Sequence, residues 1–321
     1  MKLQDLGLGL VRATEAAALA AGRWMGFGDK EEPDVAAIEA MHRALNALEI
    51  DGYIAVGEEE KLHRHSPLDG GKRVGMGKGP KLDLVVDPID GRKLLALGHT
   101  DAISVVGAAP RGCMWSPPPE AVYIDKLVVS REAAHVLVAE CMDAPAAWTL
   151  ALIARAKKKE VRDLVVFILD RPRHENLVEE IRSAGARVLL KAEGDIAGAL
   201  MAASPAGKVD LLMGVGGTAE GVIAACAVKA LGGGMMARMA PQSGEESRAV
   251  EGKGLDTKRI LTVQDLVHAE DIFFAATGIT DGVLLSGVRY HGQTATTESL
   301  ILSTGSDTRR VVQADHKIDE N

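Results

Sequence analysis

Apolar residues recur at helical spacing in the first fifty positions of the chain. Steps of three and four residues over 6–24 predict a helix rich in alanine, which Gly26 and Gly28 end. The same spacing over 33–48 predicts a second helix, and Pro33 suits its first turn. Three short apolar runs with the length of buried strands follow at 53–56, 82–86 and 102–108.

Beyond about residue 145 the pattern becomes a regular alternation. Short apolar strands alternate with helices of about ten residues, which indicates βαβ units and a largely parallel sheet. These elements are predicted at 146–158, 164–169, 176–184, 186–190, 195–203, 209–213 and 219–231. Strand-like runs return at 272–276, 283–285 and 299–303. We therefore expect an α/β (α+β) fold of two lobes, an α+β lobe over 1–150 and an α/β lobe with C-terminal strands over 151–321, with the boundary near 145–160.

Composition and charge exclude several classes of protein. The 321 residues carry 37 Lys+Arg against 45 Asp+Glu, and the formal charge of −8 disfavours nonspecific binding to nucleic acids or anionic membranes. A hydrophobic share of 47% with 26% charged residues indicates an ordered globular chain. No apolar run approaches the roughly 18–20 residues of a membrane span, and the polar start does not resemble a signal peptide.

Cysteine usage bears on the compartment. Cys113, Cys141 and Cys226 are scattered, and an odd, scattered set fits neither a disulfide framework nor a zinc site. We expect a reduced, cytoplasmic protein.

Two carboxylates three residues apart close the predicted strand at 82–86. The segment reads Asp87-Pro88-Ile89-Asp90-Gly91, so the strand delivers one carboxylate and a turn fixed by proline delivers the second toward the same point. Hard cations such as Mg²⁺ and Mn²⁺ prefer oxygen ligands of this kind. For these residues alone, a capped turn without metal is the alternative.

Other acidic residues follow strands or begin helices. Glu58 and Glu60 stand at alternate positions after a strand and so point the same way, with a solvated loop as the alternative. Asp34 opens a helix, where the helix dipole alone also favours it. Glu220 follows the glycine-rich turn 214–217, whose backbone N–H groups suit phosphate, although the turn lacks the lysine of a P-loop.

Ordered motifs along the chain carry a family resemblance. They are Gly28-Asp29-Lys30 with Asp34, Ile50-Asp51-Gly52 then Gly57-Glu58, Asp87-Pro88-Ile89-Asp90-Gly91, Pro172-Arg173-His174, Gly194-Asp195, Gly216-Gly217 with Glu220-Gly221, and Ala276-Thr277-Gly278-Ile279-Thr280. In this order they resemble class II (GlpX-type) fructose-1,6-bisphosphatases. The resemblance runs from about residue 6 to about residue 310, nearly the whole chain.

The resemblance implies a fold, an activity and a site. The family belongs to the lithium-sensitive, metal-dependent sugar and inositol phosphatases, whose fold stacks α/β/α/β/α layers. It implies hydrolysis of the 1-phosphate of fructose-1,6-bisphosphate with Mg²⁺ or Mn²⁺ in a homodimer or homotetramer. The implied metal ligands are Asp34, Glu58, Asp87, Asp90 and Glu220, and the implied catalytic residues are Glu58, Glu60, Asp87 and Asp90. The implied sugar-phosphate contacts are Asp90, Gly91, Arg92, Tyr123, Arg171, Pro172, Arg173, Glu193, Gly194, Asp195 and Gly217.

Phosphate chemistry agrees with these implied roles. Hydrolysis of a phosphate monoester is among the slowest uncatalysed reactions, and clustered cations neutralise the phosphoryl oxygens and activate the attacking water. Arg171 and Arg173 suit the second, unreacting phosphate, because a guanidinium matches phosphate geometry. A solvated turn is the alternative for these two arginines.

The chain departs from the family pattern beside the implied metal ligands. The family's catalytic Asp position is Leu62, and the Thr position after the second acidic motif is Arg92, so a proton acceptor and a hydroxyl are missing together. Asp90 stands for a longer Glu, and Val35 stands where the family tends to have Gly.

Three interpretations of these departures are open. In the first, the protein is a phosphatase in which Glu59, Glu60, His63 or His65 replaces the lost base. In the second, the site serves a different sugar or inositol phosphate, and Arg92 holds an extra anionic group. In the third, the protein binds sugar phosphate without turnover, and the retained metal carboxylates argue against this.

Overall fold

The computed structural model describes residues 3–58, 65–205, 207–304 and 308–318. The chain divides into two compact units, the first combining Met1–Ser116 with Ala269–Asn321 and the second formed by Pro117–His268. The second unit is therefore an insertion in the sequence of the first. No helix in the described ranges has the length and apolarity needed to cross a membrane.

Helices and strands are numbered along the chain. The helices are α1 (Leu3–Gly22), α2 (Glu31–Asn46), α3 (Arg92–Ala96), α4 (Arg131–Ala134), α5 (Ala146–Ala156), α6 (Glu175–Ser183), α7 (Asp195–Ala203), α8 (Thr218–Ala230), α9 (Gly244–Gly252) and α10 (Val263–Leu266). The strands are β1 (Asp51–Val56), β2 (Arg73–Val74), β3 (Lys81–Asp90), β4 (Ile103–Pro110), β5 (Tyr123–Val129), β6 (Val165–Leu169), β7 (Arg187–Lys191), β8 (Leu211–Gly217), β9 (Gly234–Met239), β10 (Leu261–Thr262), β11 (Phe273–Gly278), β12 (Arg289–His291), β13 (Thr294–Ser303) and β14 (Arg310–Lys317).

The first unit is built on a mixed sheet. Its described strands lie in the order β12-β13-β11-β4-β3-β1-β2, with β14 paired to β13. β1 and β3 are parallel, and the tail strand β11 joins the sheet antiparallel to β4. α1 packs against α2 and against β4, β11 and β13. Ala13, Ala17 and Ala21 on α1 are fully buried, and their short side chains let the helix lie close to the sheet.

A buried residue of α1 is polar, and its hydroxyl forms a hydrogen bond across the interface between α1 and the sheet. Thr14 falls on the buried helix face that the apolar spacing predicts, and it is fully buried. Its hydroxyl hydrogen-bonds with that of Thr277 at 2.7 Å, and Thr277 hydrogen-bonds with Ser299 at 2.8 Å. These bonds join α1 to β11 and β13, so the buried hydroxyls are not left without partners.

β3 carries an irregularity where the acidic motif lies. The sequence predicts that the strand ends before Asp87, whereas β3 continues through Pro88 to Asp90. Its pairing with β4 shifts register between Asp87, opposite Val105, and Asp90, opposite Ile103, so β3 holds one extra residue there. A bulge of this kind offsets the alternation of side chains. Asp87 and Asp90, three residues apart, therefore need not point to opposite faces.

The second unit is built on another mixed sheet, in the order β10-β9-β5-β8-β6-β7. β6 is parallel to β7 and β8, as the alternating pattern predicts. β5 lies between β8 and β9 and runs antiparallel to both, and β9 is antiparallel to β10. The prediction of a largely parallel sheet is therefore wrong for the part of this sheet that contains β5, β9 and β10. It failed because β5, which precedes the alternating region in the sequence, lies between β8 and β9 and pairs antiparallel with both.

The α/β fold class is confirmed, since both units combine helices with mixed sheets. The division of the chain differs from the predicted boundary near 145–160. The second unit begins at Pro117 because β5 pairs in the second sheet, and the tail returns to the first unit because β11 pairs with β4. The strand predicted at 283–285 is also wrong. There the chain forms a tight loop, in which Gly282 donates to the carbonyl of Leu285 and Val283 donates to Asp101.

A buried histidine joins two strands of the second sheet. His174 is 3% exposed, and its Nε2 accepts the backbone N–H of Val215 at 2.9 Å. Nδ1 therefore carries the proton and donates to the carbonyl of Leu169 at 2.7 Å. Burial lowers the pKa of His174 despite the opposing effect of that hydrogen bond. Gly214 makes room for the ring, since a Cβ there would lie 2.9 Å from Nε2.

We predict that protonation of His174 destabilises the fold. Between its lowered pKa and the ordinary value of 6.5, the unfolded chain binds a proton that the folded chain does not, so the free energy of unfolding falls as the pH decreases through this window. His174→Gln should lower the unfolding free energy by about 1–3 kcal/mol near neutral pH, because an amide does not reproduce the positions of both ring nitrogens, so either the Val215 N–H or the Leu169 carbonyl loses its partner. The same variant should also show a smaller decrease between about pH 8 and pH 5.5.

Urea denaturation across this pH range measures both effects. His135→Gln, at an exposed position of the same unit, is the control and should retain the wild-type pH dependence. A His174→Gln variant with the wild-type pH dependence would contradict the assignment.

Candidate active site

Buried carboxylates lie at the ends of elements in the first unit. Asp34 is in the first turn of α2, Glu58 follows β1, and Asp87 and Asp90 lie at the end of β3. Asp34, Glu58 and Asp87 are each 1% exposed, and Asp90 is 5% exposed. Burial of this much negative charge is unfavourable unless positive charge or hydrogen bonds compensate it.

Arg92 supplies one compensating charge. Its Nη1 donates to Oδ2 of Asp34 at 2.9 Å. Burial by itself would lower the pKa of the guanidinium, but the negative charges of Asp34, Glu58 and Asp87, with the hydrogen bond to Asp34, raise it overall. Because these three carboxylates act on one guanidinium, we call Asp34, Glu58 and Asp87 the carboxylate cluster.

Backbone geometry sets the position of Arg92. Oδ1 of Asp87 accepts the N–H of Ile89 at 3.1 Å, which fixes the bulged end of β3. Gly91 has a φ of 97°, in the left-handed region that favours glycine. A Cβ at this position would lie 3.0 Å from Cδ1 of Leu94. The sequence Asp87 to Arg92 therefore forms a bulged strand end, a left-handed glycine and the first residue of α3.

The donor chemistry of the carboxylate cluster fits a hard divalent cation, because every donor atom is a carboxylate oxygen. Within the ranges the structure describes, no three His, Cys, Asp or Glu side chains are gathered in an arrangement that could hold a metal ion. The Arg92 guanidinium forms an ion pair with Asp34 of the cluster. The chemistry of the residues therefore fits a metal, and one of the proposed ligands is paired with a positive charge from the chain itself.

The segment that would carry a substitute base is mostly outside the described residues. Glu59, Glu60, Leu62 and His63 all lie there. His65 is described and exposed, with Nδ1 3.6 Å from Oδ2 of Asp69. The structure thus leaves the roles of these residues as predictions.

In the second unit, the loop after β6 presents the predicted arginines. Nη1 of Arg171 donates to the carbonyl of Ala192 at 2.7 Å, which ties this loop to the segment after β7. Arg173 lies over the ring of Tyr123 at 5.1 Å from its centroid, and its Nη2 donates to the carbonyl of Val215 at 2.9 Å. Arg173 is exposed, so its guanidinium is both held and accessible. Tyr123 and Arg173, both predicted from the sequence, are brought together.

A buried ion pair fixes another predicted residue of this unit. Asp195 begins α7 after Gly194, whose φ of 93° is left-handed. Oδ2 of Asp195 lies 2.6 Å from Nζ of Lys126, which is 1% exposed. A Cβ on Gly216 would lie 2.0 Å from that oxygen and 2.5 Å from Nζ, so only glycine leaves room for the pair. Sequence reasoning missed Lys126, although a lysine inside the apolar strand β5 was a usable signal.

The remaining predicted residues lie around the same sheet. Glu220 is in the first turn of α8, and a Cβ on Gly217 would lie 1.9 Å from its Oε2. Glu193 precedes Gly194 and is half-buried, and Pro172 is exposed beside Arg173. Their contacts with metal or substrate stay predictions.

Comparison with known proteins gives the chain its family. The model of the family described as bacterial fructose-1,6-bisphosphatase, glpX-encoded, matches residues 4–316. The fructose-1,6-bisphosphatase class 2 of Haemophilus influenzae is 38% identical over 328 residues, covering 98% of this chain and 97% of that protein. The fructose-1,6-bisphosphatase 1 class 2 of Escherichia coli K12 is 35% identical over 329 residues, covering 98% of this chain and 96% of that protein. The chain therefore belongs to the bacterial, glpX-encoded fructose-1,6-bisphosphatase family, a family of phosphoric monoester hydrolases.

Proposed function

We propose that the protein hydrolyses the 1-phosphate of fructose-1,6-bisphosphate, consuming one water and releasing fructose 6-phosphate and inorganic phosphate. The observation that carries this proposal is family membership over nearly the whole chain. The family is metal-dependent in general, and we propose Mg²⁺ or Mn²⁺ as the ion. The proposal extends to a role in sugar-phosphate metabolism and gluconeogenesis, to a cytoplasmic location and to a homodimer or homotetramer.

Carboxylates are the proposed metal ligands. We propose that Asp34, Glu58, Asp87, Asp90 and Glu220 are metal ligands. When bound, divalent ions neutralise phosphoryl oxygens and make the attacking water more acidic. Burial of Asp34, Glu58 and Asp87 to 1% exposure supports this role, because desolvated carboxylates favour a cation strongly. Glu58, Glu60, Asp87 and Asp90 are the proposed catalytic residues, whose carboxylates would accept hydrogen bonds from the attacking water.

The arginines of the second unit are the proposed ligands of the unreacting phosphate. Arg173 is fixed by Tyr123 and by the carbonyl of Val215, so little conformational entropy is lost when it binds an anion. Asp195 is oriented by Lys126 and suits a sugar hydroxyl, since a carboxylate accepts hydrogen bonds from such groups. We propose sugar-phosphate contacts at Asp90, Gly91, Arg92, Tyr123, Arg171, Pro172, Arg173, Glu193, Gly194, Asp195 and Gly217.

Phosphate release from defined substrates tests the proposed activity. We expect release from fructose-1,6-bisphosphate with Mg²⁺ or Mn²⁺, and none after chelation. Fructose 6-phosphate and inositol monophosphates should release much less phosphate under the same conditions. Preferential hydrolysis of an inositol phosphate would favour the alternative substrate class, and no release from any of these compounds would contradict the proposal.

We predict that Asp87→Asn weakens metal binding while leaving the fold intact. The amide retains the oxygen that accepts the Ile89 N–H, but it removes the negative charge that a divalent ion requires. The increase in melting temperature on adding Mn²⁺ should be lost or strongly reduced. Glu39→Gln, which removes a charge from an exposed position on α2, should retain the full increase. An undiminished increase in Asp87→Asn would remove Asp87 from the proposed ligands.

We also predict that Arg173→Ala weakens binding of the bisphosphate and of fructose 6-phosphate, which share the unreacting phosphate, more than binding of fructose 1-phosphate. Loss of a charge-assisted contact to the second phosphate should weaken bisphosphate binding by about 2–3 kcal/mol. Isothermal titration calorimetry in the presence of a chelator, where no phosphate release is expected, measures binding without turnover. Arg162→Ala, an exposed arginine of the same unit, is the control. Equal losses for the bisphosphate and both monophosphates would place Arg173 away from the second phosphate.

A further inference from the structure

We propose that Arg92 is a permanent internal cation of the carboxylate cluster and takes the place of one metal ion there. The protein would then bind divalent metal more weakly, or with one ion fewer per chain, than its acidic residues would otherwise allow. This inference rests on the proposed metal-dependent function and deepens it by assigning a residue that sets metal affinity.

Buried charge requires compensation. Asp34, Glu58 and Asp87 are each 1% exposed, so water does little to stabilise their negative charges. A nearby positive charge compensates the cost of burying these carboxylates, and both a divalent ion and a guanidinium supply such a charge. Nη1 of Arg92 lies 2.9 Å from Oδ2 of Asp34 and donates a hydrogen bond to it. The guanidinium therefore does the electrostatic work of a bound cation.

The position of Arg92 is set by the backbone. Left-handed Gly91 turns the chain from β3 into α3, and Arg92 is the first residue of that helix. Only 28% of its side chain is exposed. A flexible surface arginine loses side-chain entropy when it forms an ion pair, whereas Arg92 starts from a constrained position beside Asp34. The pair with Asp34 is thus a stable part of the folded first unit.

A guanidinium also differs from a metal in being permanent. Arginine keeps its proton at any pH at which proteins remain folded, and it cannot be removed by a chelator. A divalent ion that approaches Asp34 meets a positive charge at the same carboxylate oxygen. Repulsion between the two cations then weakens metal binding, and the effect is large because the site is shielded from water. Metal affinity in this chain is accordingly set by a competition between Arg92 and the ion.

Manganese titration of the full-length, chelator-treated protein tests this competition. Arg92→Gln removes the charge and keeps a side chain of similar polarity, whereas Arg92→Lys keeps the charge. By isothermal titration calorimetry, Arg92→Gln should bind Mn²⁺ at least about tenfold more tightly than wild type or take up one additional ion per chain. Arg92→Lys should remain close to wild type. Arg43→Gln removes an arginine charge from an exposed position on α2 and should also bind as wild type.

Thermal unfolding provides a second measurement, in which Arg92→Gln should lower the melting temperature without metal and enlarge the increase caused by Mn²⁺. Without metal, Arg92→Gln should melt at a lower temperature than wild type, because the buried carboxylates lose their internal cation. With Mn²⁺ its increase in melting temperature should exceed that of wild type. A variant that is unfolded without metal and folds on addition of Mn²⁺ would also support the proposal. A variant that remains unfolded in Mn²⁺ would overturn it, since the ion would then fail to replace the guanidinium.

Two further results would overturn the inference. One is Mn²⁺ affinity and stoichiometry in Arg92→Gln that equal those of wild type, and the other is weaker binding. Phosphate release by the wild type is measured separately. The proposed phosphatase function and the inference about Arg92 can therefore be contradicted independently of each other. Tighter metal binding in Arg92→Gln without any phosphatase activity in wild type would contradict the proposed function alone. Normal phosphate release with unchanged metal binding in Arg92→Gln would contradict this inference alone.

Discussion

Burial of carboxylates at the ends of elements is the constraint on which the site of the first unit depends. Asp34 and Asp87 are almost completely removed from water, and a lone carboxylate in such a place would be several kcal/mol less stable than in solution. The ion pair with Arg92 compensates part of this penalty inside the folded chain. The bulge in β3 and the left-handed Gly91 lie between the acidic motif and the arginine and bring the two to one place.

In the second unit, lysines compensate the charge of buried carboxylates. Asp195 is paired with buried Lys126, and Oδ1 of Asp210 lies 3.0 Å from Nζ of Lys157 and 2.7 Å from Nζ of Lys159. Burial alone would raise the pKa of Asp210, but the two lysines and the N–H of Val165 lower it. Each unit therefore contains buried carboxylates that are neutralised by cations from its own sequence. Such pairs fix geometry more than they add stability, because desolvation offsets much of the attraction.

The chain that holds these pairs belongs to a known family. The relatives named as class 2 fructose-1,6-bisphosphatases match the chain almost from end to end, so the departures lie within a retained framework. Arg92 is one of these departures, and its contact with Asp34 explains how the chain tolerates it: the new positive charge finds a buried negative one. Leu62, the other departure, lies outside the described residues.

The sequence by itself determined the acidic motif, the two N-terminal helices, the alternating βαβ region and the family. These features are local or ordered along the chain, so the spacing of apolar residues and short motifs is enough to predict them. The tertiary structure alone decided the division of the chain, because β5 and β11 pair with strands far away in sequence. It also decided that the lysine of an apolar strand, Lys126, reaches Asp195 and that Arg92 turns toward Asp34. Ion pairs between buried residues far apart in sequence depend on which segments of the backbone pack close together. The local spacing of residues along the sequence does not contain that information.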